Sequence, residues 1–168
     1  RNLIAFRRSG NPSAPPSEFD AGNGAAMRVL PVALGTLALD DTGVCAAVRA
    51  QSHVTHHNPV SDAACEFIAL AVQDLVRGEP LRHVYRRRIC PLIEKRPEFS
   101  FRNRRRCENP SGWIVETMQA VLQALMDADG FENCLVDVTN RGGDADTTGA
   151  ILGMLAGALY GVEALPQR

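Results

Sequence analysis

Lysine is nearly missing: Lys95 is the one lysine among 18 basic side chains, and the rest are arginine. With so much alanine beside it, this reads as the habit of a GC-rich genome rather than a functional choice. No CxxC pair occurs. The five cysteines (Cys45, Cys65, Cys90, Cys107, Cys134) are odd in number and widely spread. That argues against a disulfide framework and a structural zinc site, and fits a reducing, cytoplasmic compartment better. Apolar alternation at period two is almost absent, so no sheet is expected. The longest weakly charged stretch, 147–162, falls short of the ~20 residues a transmembrane helix needs. No secretory leader is expected from the first residues. It begins with Arg1 rather than Met, so a processed or truncated chain is expected.

What is present is a globular composition. Of 168 residues, 45% are hydrophobic and 22% charged, enough apolar material for a core and the length of one domain. The net charge of −1 excludes a polycation built to coat nucleic acid. The charge is unevenly distributed: residues 81–106 hold 10 basic and 2 acidic side chains, whereas 107–168 hold 2 and 9.

Residues 1–19, with Gly10, Pro12, Pro15 and Pro16, read as a loop. From there the pattern is helix after helix. The apolar run from Ala25 to Leu39 contains Pro31, where a helix starts or kinks. Asp41 or Thr42 caps a helix through Ser52. Ser61 and Gly78 bound the next, with Ala64, Cys65, Ile68, Ala71, Val72 and Leu75 at helical spacing. A basic helix spans Leu81 to Glu94, and 96–110 is loop. Ser111 caps a helix whose stripe includes Trp113, Ile114, Thr117, Met118, Val121, Leu122 and Leu125. Helices over Phe131 to Val138 and Thr147 to Tyr160 close the chain. The fold class is all-α.

The sharpest chemical feature is Gly142-Gly-Asp-Ala-Asp-Thr-Thr-Gly149, ahead of an apolar helix. Asp144, Asp146 and the Thr147 hydroxyl form a compact set of hard oxygens suited to Mg²⁺ or Mn²⁺. The competing reading is an acidic helix cap, but a cap needs one carboxylate, not two. Without a cation, two adjacent anions should raise one pKa. Gly149, Gly153 and Gly157 then give a small-residue face for close helix packing.

A second feature, Asp20-Ala-Gly-Asn-Gly-Ala-Ala-Met-Arg28, is either a plain turn or a backbone N–H cradle for an anion. It lacks the P-loop lysine. In the third, His53-Val-Thr-His-His57, hydrogen-bonding roles fit better than zinc ligation, since HExxH is absent. Asp127-Ala-Asp-Gly130 fails the EF-hand register. The arginines of 81–106 suit a solvated face or an acidic protein surface. No RNA-binding motif accompanies them.

The three features in this order, with Thr55-His56, Ser61-Asp-Ala-Ala-Cys65, Ser111-Gly-Trp-Ile-Val-Glu-Thr-Met-Gln119 and Leu155-Ala-Gly-Ala-Leu-Tyr-Gly161, resemble the ADP-ribosylglycohydrolase family over essentially the whole chain. The resemblance implies a compact orthogonal helical bundle, here incomplete, with 1–168 as one partial domain. It implies a hydrolase that removes ADP-ribose from a modified arginine through two divalent cations, Mn²⁺ or Mg²⁺. The expected partner is an ADP-ribosylated protein, dinitrogenase reductase foremost, with a PII signalling protein as a further partner. Asp144, Asp146 and Thr147 match metal ligands. His56 matches an ADP-ribose contact, and Gly22, Asn23 and Gly24 line the diphosphate–ribose side. Trp113 stands where relatives have a substrate-contacting tyrosine; its indole can stack but has no phenol hydroxyl. The family's Thr-Asp-Asp-Thr motif and catalytic aspartate lie upstream of this chain, so no catalytic residue is assigned and the chain alone is expected to be inactive. Leu39-Asp-Asp-Thr42 imitates that motif in the wrong order and reads as a loop or cap. The alternatives are a hydrolase of another ADP-ribosyl linkage and a non-catalytic ADP-ribose binder.

Overall fold

Apolar spacing decides which segments become helix, and capping chemistry decides where each starts. The computed structural model describes residues 2–19, 21–102 and 104–166. Asp20, which opens the Gly-Asn-Gly turn, lies outside them. The helices are α1 (Asn2–Ser9), α2 (Leu30–Gly35), α3 (Asp41–Ser52), α4 (Pro59–Val76), α5 (Leu81–Val84), α6 (Cys90–Lys95), α7 (Ile114–Asp127), α8 (Phe131–Thr139) and α9 (Ala145–Tyr160). A π-helical segment, Tyr85–Ile89, joins α5 to α6. Among the described residues there is no strand, only one antiparallel bridge between Gly22 and Trp113. The chain is all-α.

The core forms where α4 packs on α2, α3, α7 and α9, and where α9 packs on α7 and α8. Ile68, Leu122, Leu152 and Leu155 are fully buried there. Truncating any one to alanine should cost about 2–5 kcal/mol. Gly149, Gly153 and Gly157 of α9 face Thr139, Leu135 and Phe131 of α8. A Cβ at each would lie 3.8–4.0 Å from them. The two spacings of four run in opposite directions, so the small-residue face seats α8 antiparallel. No helix among the described residues is long and apolar enough to cross a membrane.

Several boundaries differ from expectation. Residues 2–9 form α1 rather than loop: no proline or glycine interrupts them before Gly10, whose φ of +70° ends the helix. The cap of α4 is Asn58, which accepts from Val60 N–H at 2.8 Å, not Ser61. Pro59, its φ already helical, starts the helix one residue later. The cap of α3 is Asp40, accepting from Gly43 N–H at 2.8 Å, so Leu39-Asp-Asp-Thr42 is a helix cap. Helix α9 begins at Ala145, which puts Asp146 and Thr147 in its first turn. Helix α7 begins at Ile114, not after Ser111. Trp113 therefore leaves the apolar stripe and is 47% exposed.

Candidate functional site

The late start of α7 follows from a backbone clamp. Asn23 N–H donates to Gly112 C=O at 2.9 Å, and Ile114 N–H donates to Ala21 C=O at 3.0 Å. These bonds hold 112–113 extended against the Gly22-Asn23-Gly24 turn. The Ser61 hydroxyl, released from capping, donates to Gly22 C=O at 2.8 Å and fixes the turn from α4. Asp144 N–H donates to Pro110 C=O at 2.8 Å, so the acidic turn is tied to the same strap.

The two glycine-rich turns meet through one side chain. Asn23, only 7% exposed, donates from Nδ2 to Asp144 Oδ2 at 2.7 Å and to Thr117 Oγ1 at 3.0 Å. Thr117, fully buried on α7, donates in turn to Ser111 C=O at 3.3 Å. The bond from Asn23 holds the Asp144 carboxyl below the usual carboxylate range. It outweighs the opposing effect of partial burial, and Thr147 and Asp146 act in the same direction as Asn23. The neighbouring acid thus does not raise the pKa of Asp144.

The Asp144 carboxylate is no helix cap. It makes no side-chain capping bond, while its carbonyl accepts from the Thr148 hydroxyl at 2.7 Å. Asp146 is exposed. Neither acid has an Arg, Lys or His ion-pair partner among the described residues. Thr147 is buried, with its hydroxyl 3.9 Å from Met27 Sδ. Gly143 makes the turn possible. Its φ is +63°, and a Cβ there would sit 2.5 Å from Asn109 C and 2.8 Å from Pro110 N.

His56 packs on the other turn. A Cβ on Gly22 would lie 3.0 Å from His56 Nε2, and one on Gly24 2.9 Å from Cε1. Glycine therefore lets the imidazole approach the backbone closely. His56 Nδ1 shares a hydrogen with Thr55 Oγ1 at 2.7 Å. Arg28 donates to that same hydroxyl at 2.6 Å and to Gly24 C=O at 2.7 Å.

The other two histidines of the 53–57 motif are bonded elsewhere. His53 Nε2 is 2.9 Å from Asp62 Oδ2, His57 Nδ1 is 2.7 Å from Ala14 O, and their rings stack at 3.7 Å.

Gly22, Asn23, Gly24, His56, Trp113 and Asp144 are thus joined directly, and Thr147 and Asp146 follow Asp144 on the next turn. The residues that brace them, Thr117, Ser61 and the Arg28–Thr55 pair, carry no sequence signal of that role. Thr117 looked like an ordinary stripe residue, and Ser61 like a cap. Among the described residues, no group of three or more His, Cys, Asp or Glu side chains could hold a metal ion. Two carboxylates and a hydroxyl are hard donors that fit part of a shell for Mg²⁺ or Mn²⁺.

Comparison with known proteins places the chain in a family. The ADP-ribosylglycohydrolase family matches residues 1–168, and the chain belongs to that family. It is 43% identical over 166 residues to the ADP-ribosyl-[dinitrogen reductase] glycohydrolase of Rhodospirillum rubrum, covering 99% of this chain and 55% of that protein. It is 32% identical over 151 residues to the ADP-ribosylarginine hydrolase Tri1 of Pseudomonas putida, covering 87% of this chain and 40% of that one. A solved ADP-ribosylglycohydrolase-related protein complex superposes with a TM-score of 0.86 at 31% identity, covering 99% of this chain and 59% of that one. The chain spans about half the length of the curated relatives it matches.

Proposed function

We propose that residues 1–168 form part of one hydrolase domain that releases ADP-ribose from a modified arginine on a protein, with dinitrogenase reductase as the favoured substrate. The observation that carries this reading is the Asn23–Asp144 hydrogen bond. It joins two turns 121 positions apart into one site that keeps two acids without cationic partners. Family membership and the names of the relatives supply the reaction class.

Asp144, Asp146 and Thr147 would hold divalent cations, with the remaining donors coming from outside these residues. Bound there, such cations supply electrophilic stabilisation of oxygen negative charge and orientation of sugar hydroxyls. The chain's own residues do the rest. The Gly22-Asn23-Gly24 turn and the close-packed His56 shape one wall for the diphosphate and ribose. Trp113, its indole exposed beside Gly22, offers a stacking face. Asn23 keeps Asp144 ionised and aimed, and Thr117 fixes Asn23. Guanidine leaves readily only when it departs neutral and is promptly protonated, so an acid must act beside the sugar. No residue of 1–168 is assigned that role, and these residues by themselves should release no ADP-ribose.

The test is Asp146→Ala in the complete protein. Mn²⁺-dependent release of ADP-ribose from ADP-ribosylarginine should vanish while the fold persists. Unchanged turnover would remove the site. Binding of ADP-ribose without any hydrolysis by the unmutated protein would make it a binder instead.

A further inference from the structure

The ten cations of 81–106 do not act as one patch. Arg88 is consumed in the interior, its side chain 9% exposed between Asp74 and Asp41. Arg87, Lys95 and Arg96 line a groove between α3, α4 and α6. The remainder gathers elsewhere. A half-open recess of about 610 Å³ lies between Phe101, Arg102, Arg104 and Arg106 on one side and the facing parts of α7 and α8 on the other. Four guanidiniums line it, Arg102, Arg104, Arg106 and Arg141, against two carboxylates, Asp127 and Asp137.

Their pairing is uneven. Arg141, 3% exposed, spends its donors on Asp137 and Gln123. Arg106 bridges Glu108 and Asp137. Arg102 lies over the Tyr85 ring, 4.6 Å from its centre, which orients it without neutralising it. Among the described residues Arg102 and Arg104 have no carboxylate partner.

We propose that this recess takes carboxylates from an acidic segment of a partner protein, with Arg102 and Arg104 as the two receiving groups. The geometry disfavours a concentrated phosphate. The recess abuts the C-terminal end of α7, where Met126 and Asp127 lie and the helix dipole is negative. Its lining contains no glycine-built N–H cradle. Separate single charges spaced along a peptide can meet Arg102 and Arg104 while avoiding Asp127. Arg105, between Arg104 and Arg106 in sequence, and Arg86, next to Tyr85, are exposed and of the same sign. Arg141 precedes Asp144 by three residues, so their Cα atoms are at most about 11 Å apart. A protein substrate bound over Asp144 would reach this far. That last step rests on the hydrolase reading; the recess does not.

The experiment uses the full-length protein without metal and a labelled peptide of alternating glutamate and glycine, amidated at its C-terminus. Peptide affinity should fall roughly tenfold in the Arg102→Gln/Arg104→Gln double variant, and again on raising salt from about 50 to about 300 mM. Arg104→Gln alone, which spares the Tyr85 stack, should show a smaller loss. Arg7→Gln/Arg8→Gln on the exposed α1 should show none. Unchanged affinity in the double variant would overturn the proposal. So would no peptide binding at all, tighter binding of inorganic pyrophosphate than of peptide, or preference for a polyuridine RNA. Hydrolysis of ADP-ribosylarginine is scored separately, so its loss or retention says nothing about the recess.

Discussion

The acidic turn at 142–147 and the basic stretch at 81–106 both stand out as charge-rich text, yet folding treats them in opposite ways. The acidic turn is drawn together. A backbone bond to Pro110 and an amide from Asn23 fix it, and its acids remain without cations among the described residues. The basic stretch is dispersed over a buried ion pair, a groove and a recess. Charge density along the chain therefore does not translate into charge density in space. Backbone restraint from remote residues decides which charges end up together and unneutralised.

The most severe way to break the comparison is Gly143→Ala. The added methyl requires a left-handed φ and enters the space of Asn109 C and of the Pro110 carbonyl oxygen. Strain and overpacking together should cost about 4 kcal/mol. The denaturant midpoint should drop accordingly, and Mn²⁺ uptake should fall with it. Recovery of wild-type stability would mean the turn is not held by its strap.

The matching test on the basic side is Arg88→Gln. Burial works against the Arg88 charge, but bonds to Asp74 and Asp41 more than compensate and hold its pKa above the ordinary arginine value. Asp74, 5% exposed at its side chain, would be left buried without a cation. Loss of one partner from a buried pair should cost about 3 kcal/mol. Arg104→Gln, on the recess, should change stability by less than about 0.5 kcal/mol. Equal losses would erase the distinction between interior and surface arginines.

Much of this was readable before the fold. Helices α4, α7 and α9 show their apolar spacing over three or more turns, and the glycine spacing of α9 announced a close helix neighbour. Boundaries were less legible, because they depend on what the backbone touches. Asn58 rather than Ser61 caps α4 because Pro59 starts the helix, and Ser111 caps no helix because Gly112 and Ile114 are pinned to Asn23 and Ala21. The site residues were named, but not their links. Asn23, Thr117 and Asp144 are too far apart in sequence for any local rule to connect them. The same holds for Arg88, whose partners on α3 and α4 separate it from its basic neighbours.

Those links can be cut singly. Asn23→Leu keeps the branched shape of the buried side chain in a bulkier form but removes donors to Asp144 and Thr117. It should cost about 2 kcal/mol by leaving buried acceptors unmet and weaken Mn²⁺ affinity of the complete protein by about 10- to 100-fold. Calorimetry and a chemical melt separate the two effects. If metal affinity is unchanged while stability falls, Asn23 serves the fold alone and the acidic turn needs no brace.

The smallest expected effect lies on the strap between the two regions. Ser111 donates from its backbone N–H at 2.9 Å and its hydroxyl at 2.6 Å to the Glu116 carboxylate. These bonds pull the Glu116 pKa below its ordinary 4.5, the side-chain bond more than the backbone one. A depressed carboxyl pKa adds stability that is complete above the unfolded value and disappears as pH falls through the folded value. Ser111→Ala deletes the stronger bond. Wild type and variant should therefore differ by less than about 1 kcal/mol at neutral pH, since the pair is solvent-screened. Their stability curves should converge below the ordinary glutamate pKa. A difference that persists undiminished into that acid range would show that Ser111 acts through the Trp113 N–H it accepts at 3.3 Å, and not through Glu116.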